Sequence, residues 1–454
     1  MTSIGRSTRP GAALRSGRVW RNFAHNQRAV PARWHRPRTE DELVAVVRRA
    51  VEEGLTVKAV GAGHSYSAVA CTDGHLLDLS DYDRVLDHDR GTGEVTVQAG
   101  IPLWKLADEL AARGRALEVL GDINVQSVAG AISTGTHGPG IRYANIASNV
   151  TGCRLVDGTG RIVDLRAGDD PGMLAAVRVG LGALGVLSTV TVRTVPAFNL
   201  HIAESAMRLD RLFAQLDELI DTTDHLGLFW FPGSDVVLVK QRMRTDEPAR
   251  PRSRRDAWLA DVVVDNHVLD LACTVASRFP QVARSIIAGA SAKRPHEWVD
   301  RSDRVFCTPR TMRVLEMEYA IAREHFVEAF ERLGRLVDRL GTPLPVPVEI
   351  RWTKGDDALL SHAHERDSVY VAAHVHHRQP YDQYFAGFEA IMDDFDGRPH
   401  WGKLHFQTAE TLAPRYPRWD EFAVARHRLD PDGRFSNPYL DRVLGAPGRI
   451  GDGP

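Results

Sequence analysis

The stretch that decides the fold is Val60-Gly61-Ala62-Gly63-His64-Ser65-Tyr66-Ser67, and a short apolar run at 55–60 leads directly into it. The apolar run predicts a β-strand. Glycines in the loop that follows allow backbone N–H groups to approach a phosphate closely, because no Cβ intervenes. A dinucleotide fingerprint of the Rossmann type would need a third glycine and an immediate helix. Neither follows here, so the sequence predicts a phosphate-binding loop of another class.

His64 has two interpretations from the residues alone. A loop histidine usually makes ordinary hydrogen bonds, but a neutral imidazole can also attack a methyl carbon of a flavin and form a stable C–N bond. A histidine that projects from a glycine-rich loop is well placed for either role. The loop by itself leaves both interpretations open.

A second small-residue tract is Ser127-Val-Ala-Gly-Ala-Ile-Ser-Thr-Gly-Thr-His-Gly-Pro-Gly140. It offers many backbone donors and the hydroxyls of Ser133, Thr134 and Thr136. Either tract alone is also typical of a tight turn or of close backbone packing. Two such tracts in one domain can enclose a dinucleotide from both sides, so together they favour a cofactor site.

The elements around these tracts predict an α+β domain over about 30–200. Thr39, followed by three acidic residues, is typical of a helix start, and Gly54 is typical of its end. Asp157-Gly158 predicts the turn of a hairpin. Further strands are predicted at 76–79, 94–99 and 186–195, and a further helix is predicted at 103–113.

The composition changes in the second half of the chain. A basic, proline-bearing segment at 244–256 predicts a loop, and residues 257–292 predict a largely helical region. Strands follow at 313–320, 347–353 and 368–376, then a helix at 384–394 and a compact tail at 400–444.

The bulk properties restrict the class of protein. A chain of 454 residues exceeds the size of a usual single core, so two domains are expected. Four cysteines without a C-x-x-C pair predict reduced thiols rather than a zinc ribbon or a disulfide scaffold. A net charge of −2 predicts no nucleic-acid partner. Without a run of ~20 apolar residues or a secretory segment, a cytoplasmic protein with no membrane span is expected, and a peripheral membrane contact stays open.

Glu349 and Arg351 are the main candidates for chemistry. They stand two apart on a predicted strand, so their side chains share one face. An acid beside a guanidinium can hold vicinal hydroxyls and a developing alkoxide. Without further context, however, such a pair is more often a half-exposed ion pair on a sheet. Lys403 in the tail is a further candidate cation, with an exposed surface lysine as its alternative.

A histidine cluster offers an alternative of another class. His374 and His376 place two rings on one face of a strand, and His377, His362 and His364 are near them in the sequence. Such a cluster is compatible with the metal site of a hydrolase, which would give a colourless protein sensitive to chelators. No acidic or cysteine ligand stands out nearby, so the sequence predicts polar roles and no metal.

These motifs resemble those of the vanillyl-alcohol oxidase superfamily of FAD enzymes and, within it, the aldonolactone oxidoreductases. The similarity extends from about Asn22 to Leu444. Residues 61–67 are similar to the family's G-x-G-H-S-x-S loop, residues 130–138 to its pyrophosphate segment, and residues 181–192 to its strand beside the adenine. Its substrate-domain and C-terminal motifs are matched by Glu318-Tyr-Ala-Ile321, Glu349-Ile-Arg351, His400-Trp-Gly-Lys403 and Arg434-Phe-Ser-Asn-Pro-Tyr-Leu440.

The resemblance implies an α+β fold in which a two-subdomain FAD-binding domain carries an inserted α+β substrate domain, or cap domain. The implied divisions are an N-terminal tail at 1–28, the FAD-binding domain at 29–200, the substrate domain at 201–395 and a C-terminal segment at 396–454 that returns to the FAD-binding domain. The active site would then lie between the two domains.

The resemblance also implies the cofactor and its contacts. Family members with histidine in the glycine-rich loop carry FAD on that histidine through the 8α-methyl carbon, so a covalent bond to His64 is implied. The implied FAD-binding residues are Gly61, Ala62, Gly63, His64, Ser65, Tyr66, Ser67, Gly121, Gly130, Ser133, Gly135, Thr136, His137, Gly138, Gly185, Val186 and His400.

The resemblance assigns roles to the candidate catalytic and substrate-binding residues. Glu349 would orient the substrate, and Arg351 would polarise its hydroxyl or balance charge on the reduced flavin. Lys403 would lie near the flavin or the substrate oxygen, and Ser127 is a further substrate-side candidate. Gly121 stands where oxygen-poor dehydrogenases of the family can carry alanine, so a glycine there favours a path for O2 and oxidase behaviour.

The expected reaction is oxidation of an aldono-1,4-lactone of the L-gulono or D-arabinono type to an ascorbate-like product. Electrons would pass to O2 or to a carrier such as cytochrome c. An alditol oxidase on the same fold, acting on a polyol such as xylitol or sorbitol, is the nearest alternative. A flavin-binding module without catalysis is an alternative of another class. Turnover of xylitol against gulonolactone tests the first alternative, and bleaching of the flavin by substrate excludes the second.

Overall fold

The predicted first helix and the strand after it hold the glycine-rich loop in place. In the computed structural model, which describes residues 17–279, 295–341 and 344–447, the helix spans Glu40–Glu53. The Thr39 hydroxyl accepts the backbone N–H of Glu42 at 3.2 Å. Gly54 ends the helix with a left-handed backbone, φ +67°, which glycine adopts without a steric penalty. The strand Val57–Val60 follows and delivers residues 61–65 to the surface of a cavity.

The first half of the chain contains two sheets. Three short parallel strands lie in the order Arg33–His35, His75–Asp78, Val57–Val60. A five-stranded antiparallel sheet has the order Ile162–Arg166, Val150–Val156, Val186–Arg193, Glu94–Gln98, Val85–His88. The hairpin predicted at Asp157-Gly158 joins the first two strands of this order. Two-stranded pairs form between Trp20–Arg21 and Arg28–Ala29 and between Arg115–Ala116 and Val195–Pro196.

The second half of the chain is built on one large antiparallel sheet of eight strands. Their order is His296–Arg301, Asn199–Arg208, Val236–Thr245, His225–Trp230, Val348–Thr353, Ser368–His376, Val314–Ala322, Arg398–Pro399. The strands predicted at 313–320, 347–353 and 368–376 are all present within a residue or two. One face of this sheet forms the floor of the candidate site described below.

Helices cover both halves. Besides Glu40–Glu53, the first half carries Leu103–Ala111, Val128–Ser133 and Pro171–Arg178, with 3-10 turns at Leu79–Asp81 and Ile146–Asn149. The second half carries Leu209–Ala214, Leu216–Thr222, Ser302–Phe306, Phe326–Leu340 and Asp382–Asp393, with a 3-10 turn at Arg323–His325. The tail carries Ala409–Leu412, Trp419–Leu429 and Pro438–Leu444, with a 3-10 turn at Ala413–Arg415.

The helical region predicted at 257–292 begins earlier than expected. Helix Arg254–Ala257 continues as a π-helical segment, Trp258–Val268, and then as helix Leu269–Arg278. Residues 280–292 of that prediction lie outside the described residues. In the three described ranges, no helix is both long and apolar enough to cross a membrane.

The tail packs against the glycine-rich loop. The Asn437 amide donates to the backbone carbonyls of Ala68, Val69 and Cys71 at 2.8–3.2 Å. Strand Arg398–Pro399, just before the tail helices, pairs with the edge of the large sheet. That sheet therefore includes residues on both sides of the predicted bounds 201–395, and we keep those bounds as a proposal.

Candidate active site

Two cavities meet at the glycine-rich loop. The first lies against the loop itself and is lined by Trp20, Lys58, Val60, Gly61, Ala62, Gly63, His64, Ser65, Gln126, Ser127, Gly130, Ser133, Thr134, Gly182, Gly185, Val186 and Phe435, among others. The second, of about 600 Å³, lies over the large sheet. Both cavities include His64, Ser65, Gln126 and Thr134 in their walls. A ligand that fills the first cavity therefore reaches the second at His64.

The first cavity has the features of a diphosphate cradle. A Cβ added at Gly61 would lie 2.1 Å from Ser127 Oγ, and Gly63 has φ +68°, so both positions require glycine. None of the backbone N–H groups of residues 61–65 donates a hydrogen bond to another described residue. These residues line a cavity whose described walls contain no carboxylate. The donor set therefore fits the diphosphate of a dinucleotide such as FAD.

Ser127 lies on the first cavity and not on the second. Its hydroxyl accepts the backbone N–H of Gly130 at 3.2 Å and so caps the helix Val128–Ser133. The side chain therefore holds the second small-residue tract in place beside the loop. Of these two cavities it therefore lines the one against the glycine-rich loop, and its predicted contact with substrate stays a prediction.

His64 stands at the junction of the two cavities. Its ring stacks on Phe23 with centroids 4.4 Å apart and planes at 18°. Burial, helped by the nearby charge of Lys403, lowers the pKa of His64 to about 4. The imidazole is therefore neutral at neutral pH, and a neutral ring is the nucleophilic form.

Three neighbouring strands supply the polar floor of the second cavity. Within the large sheet Glu349 pairs with Ala372, and Ala372 pairs with Glu318 on the strand beyond. His374 pairs with Glu316 one step further along. Because these side chains project from the same face, the sheet gathers acidic and basic groups over a few ångströms.

Arg351 is the centre of the first charged group on this floor. It contacts Glu349 Oε1 at 2.5 Å and Asp122 Oδ2 at 2.8 Å, and all three side chains are buried or nearly so. Burial alone would lower the pKa of Arg351, but Asp122, Glu349 and Glu318 together raise it. The guanidinium therefore stays charged. Burial raises the pKa of Glu349 against the opposing effect of Arg351, so this carboxyl group takes up a proton more readily than usual.

Lys403 is the centre of the second charged group. Its Nζ lies 2.5 Å from Glu316 Oε1 and 3.8 Å from Glu318 Oε2. Burial alone would lower its pKa, but the two glutamates raise it. Burial would raise the pKa of Glu316, but Lys403 and His374 lower it to about 2. The lysine is therefore a cation fixed inside the cavity, not an exposed surface residue.

A cluster of rings joins the second charged group to the small-residue tract, which contributes His137. His137 Nε2 lies 3.0 Å from Glu318 Oε1, and the His137 ring stacks on Tyr370. His400 stacks on His362 with centroids 4.7 Å apart, and its Nδ1 accepts the N–H of Gly402. Burial lowers the pKa of His400 to about 3, so this ring is neutral and, with Nδ1 accepting a hydrogen bond, carries its proton on Nε2.

The remaining predicted site residues divide into two groups. Tyr66, Gly121 and Thr136 line the second cavity. Ser67, Gly135 and Gly138 line neither cavity. Ser67 donates to the Trp401 carbonyl at 2.8 Å, whereas Cβ atoms at Gly135 and Gly138 would meet His362 Cε1 at 2.7 Å and the Leu120 carbonyl at 2.3 Å. These three residues support the loop and the tract by close packing.

Acidic side chains from distant segments lie beside several of the histidines. Asp270 lies on the continuous helix formed by Arg254–Ala257, Trp258–Val268 and Leu269–Arg278, called here the long helix. Its carboxylate is 3.1 Å from His376 and close to His377. Glu318 likewise approaches His137 and His400. No acidic ligand stood out beside these histidines in the sequence because both acids come from distant segments, and the absence of a metal stays a prediction. His374 instead faces the second cavity beside Glu316, at 3.5 Å.

Several site residues were not anticipated. Asp122 directly follows Gly121 but showed no motif, and its role depends on Arg351 from a distant strand. Lys58 is buried in the first cavity and donates to the Gly182 and Phe435 carbonyls. Glu316 was also missed, although it stands two residues before Glu318, which a family motif already included. This is the same spacing that identified Glu349 and Arg351, so the signal was available in the sequence.

Two family models match the chain. The model described as D-arabinono-1,4-lactone oxidase matches residues 190–443. The model described as FAD binding domain matches residues 31–166, which include the glycine-rich loop and the second tract.

Curated relatives match almost the whole chain. An L-gulono-1,4-lactone dehydrogenase of Mycobacterium tuberculosis is 43% identical and covers 94% of this chain and 99% of its own length. An L-gulonolactone oxidase of Mus musculus is 31% identical, with coverage of 94% and 98%. A putative D-arabinono-1,4-lactone oxidase of Neurospora crassa is 29% identical, with coverage of 95% and 86%.

A solved structure shows the same fold. Cholesterol oxidase from Brevibacterium sterolicum superposes with a TM-score of 0.74, covering 94% of this chain and 96% of its own. The sequences are only 17% identical, so this likeness concerns the fold alone.

Proposed function

This chain belongs to the aldonolactone oxidoreductase family and is an FAD-dependent oxidoreductase, and on that premise we propose that it oxidises an aldono-1,4-lactone of the L-gulono or D-arabinono type. The resemblance drawn from the sequence and the α+β fold class are thereby confirmed. The observation that carries the proposal is the junction at His64. There a dinucleotide cradle opens into a polar cavity that holds two fixed cations, Arg351 and Lys403.

The residues of the second cavity suit the oxidation of a carbinol beside a lactone carbonyl. FAD, when bound, supplies the hydride acceptor. Arg351 and Lys403 direct permanent positive charge at the substrate oxygens, which stabilises negative charge on a hydroxyl that loses its proton. Glu349 holds a hydroxyl of the substrate beside Arg351 and, because its pKa is raised, can accept a proton and keep it.

Turnover of a lactone and of an open polyol separates the proposal from its nearest alternative. With L-gulono-1,4-lactone and xylitol assayed side by side, we expect the kcat/KM for the lactone to exceed that for xylitol by at least about 100-fold, about 2.7 kcal/mol in the transition state. A preference for xylitol would identify the protein as an alditol oxidase.

We propose that His64 carries FAD through the 8α-methyl carbon of the flavin. The neutral ring at the junction of the two cavities supports this bond, since its low pKa leaves the nucleophilic form in place at neutral pH. On acid precipitation, the wild-type pellet should stay yellow, whereas His64→Ala should release all its flavin to the supernatant. A white wild-type pellet under a yellow supernatant would refute the covalent bond but would still be consistent with bound FAD.

We propose that O2 accepts the electrons and that Gly121 leaves its path open. A Cβ at this position would lie 3.3 Å from the His137 carbonyl and 3.4 Å from Thr136 Cγ2, so alanine fits with a shift of a few tenths of an ångström. Gly121→Ala should slow reoxidation by O2 by about tenfold, about 1.4 kcal/mol, and leave reduction by the lactone unchanged. Stopped-flow measurement of the two half-reactions tests this. If the wild-type enzyme reduces cytochrome c faster than O2, a protein carrier is the acceptor instead.

A further inference from the structure

A third cavity, of about 230 Å³, adjoins the second one and has no part in the reaction described above. The two cavities share Asp122, Lys240, Val264 and Arg310 in their walls. The third cavity, called here the side chamber, lies over the far strands of the large sheet, against the long helix. It therefore begins at the edge of the second cavity, next to Asp122, which contacts Arg351.

The side chamber has an excess of positive charge. Five basic side chains line it, Lys240, Arg242, Arg252, Arg304 and Arg310, against three acidic ones, Asp122, Glu204 and Asp261. The acids have cations of their own. Lys240 binds Glu204 at 3.0 Å, Arg252 binds Asp261 at 2.6 Å, and Asp122 is shared between Arg351 and Arg310.

Apart from the exposed Arg304, the basic side chain left out of this pairing is that of Arg242. It lies on strand Val236–Thr245 and is only 4% exposed. Its Nε has no hydrogen-bond partner in the described part of the chain, and no carboxylate there comes within ion-pairing distance of its guanidinium. Asp122, Glu204 and Glu349 lie close enough to raise the pKa of Arg242, but burial outweighs them and lowers it. A further anion in direct contact with this guanidinium would therefore stabilise its charge.

The chemistry of Arg242 indicates which ligand suits the chamber. A guanidinium presents parallel N–H donors that match the two oxygens of a carboxylate or phosphate group. A cavity of this size holds such a group, and far more than a single water molecule. We propose that the side chamber is an oxyanion-binding subsite in which Arg242 receives a carboxylate or phosphate group. The oxyanion is either a free ion or the distal end of a substrate that extends from the second cavity.

Inorganic phosphate tests the subsite on the FAD-loaded enzyme without any turnover. At constant ionic strength, phosphate should raise the wild-type Tm with a saturable dependence, since a ligand of the native state stabilises it. Arg242→Gln should abolish the dependence, and Arg250→Gln, an exposed arginine outside the chamber, should keep it. Thr308→Glu provides a second variant that places a carboxylate on the chamber wall and should also abolish it. A wild-type Tm without a saturable response, or a response that survives both chamber variants, overturns the proposal.

Kinetics distinguish the two sources of the oxyanion, and this second experiment alone rests on the proposed function. A terminal phosphate ester of the aldono-1,4-lactone is compared with the neutral lactone. If the chamber receives the substrate's own anion, the ester should show a KM about tenfold lower, and Arg242→Gln should erase this difference while leaving kcat with the neutral lactone unchanged. If the ligand is a free ion, the two KM values should agree, and phosphate should bind together with the neutral lactone. A protein that binds phosphate but oxidises neither lactone would refute the proposed function and leave the subsite standing.

Discussion

Replacing Arg351 with methionine is expected to lower kcat for the lactone by about 10²–10³-fold, the usual cost of removing one preorganised charge donor from a developing anion. The guanidinium is the buried cation nearest to Glu349, and it keeps its charge because Asp122 and Glu349 flank it. Steady-state turnover at saturating lactone measures the effect. A kcat within twofold of the wild-type value would show that Arg351 takes no part in the reaction.

Two controls separate catalysis from folding for this prediction. Arg351→Met leaves Asp122 and Glu349 without their main cation, so we expect a loss of about 3–5 kcal/mol in the free energy of unfolding. The double variant Arg351→Met with Glu349→Gln should recover part of that stability and none of the activity. Arg351→Lys keeps a charge but loses the planar fork, so its kcat should lie between those of the wild type and the methionine variant.

Replacing Lys403 with methionine is the second large effect, with an expected loss of about 10²-fold in kcat. Lys403 lies 2.5 Å from Glu316 and 3.8 Å from Glu318, so its removal leaves these two buried carboxylates with only His374 and His137 as partners. The free energy of unfolding at pH 7 should fall by about 3–5 kcal/mol. Lys403→Met with Glu316→Gln should regain stability while staying inactive. If Lys403→Met keeps the wild-type kcat and the wild-type free energy of unfolding, Lys403 contributes neither to catalysis nor to stability.

The pH dependence of the Lys403 variant has a definite sign. In the wild type, Lys403 and His374 overcome the effect of burial and lower the pKa of Glu316 to about 2. A carboxyl group with a depressed pKa stabilises the native state above its unfolded pKa of about 4.3, and this contribution is lost as pH falls toward 2. Lys403→Met removes the main cause of the depression. The stability difference between variant and wild type should therefore be largest at pH 7 and shrink between pH 4 and pH 2, as measured by denaturant unfolding.

The sequence was most informative where local spacing determines structure. Thr39 and Gly54 marked the ends of the first helix because a cap and a left-handed terminus need those residue types. Glu349 and Arg351 could be placed on one face of a strand because side chains alternate along it. The loop of residues 61–65 was located by its glycines after an apolar strand, and alternation placed two of the residues on the floor of the second cavity.

What the sequence could not indicate depends on contacts between distant segments. Asp122 joins Arg351 across 229 positions, and Asp270 meets His376 from the long helix. The sequence identified Ser127 as a residue with a hydroxyl group but could not indicate which group the hydroxyl contacts. In the structure it accepts a hydrogen bond from the backbone N–H of Gly130. The side chamber could not be predicted either, because its walls come from distant segments. Arg242 stands out only in the structure, where its Nε lacks a hydrogen-bond partner among the described residues.

The central claim, that bound FAD is reduced by an aldonolactone in the second cavity, is tested most directly by the visible spectrum of the purified holoenzyme without oxygen. Addition of L-gulono-1,4-lactone or D-arabinono-1,4-lactone should bleach the flavin absorption within the turnover time, and Arg351→Met should bleach about 10²–10³-fold more slowly. Flavin that stays oxidised with both lactones would contradict the assigned reaction. A colourless protein that cannot be reconstituted with FAD would contradict the account of the first cavity as well.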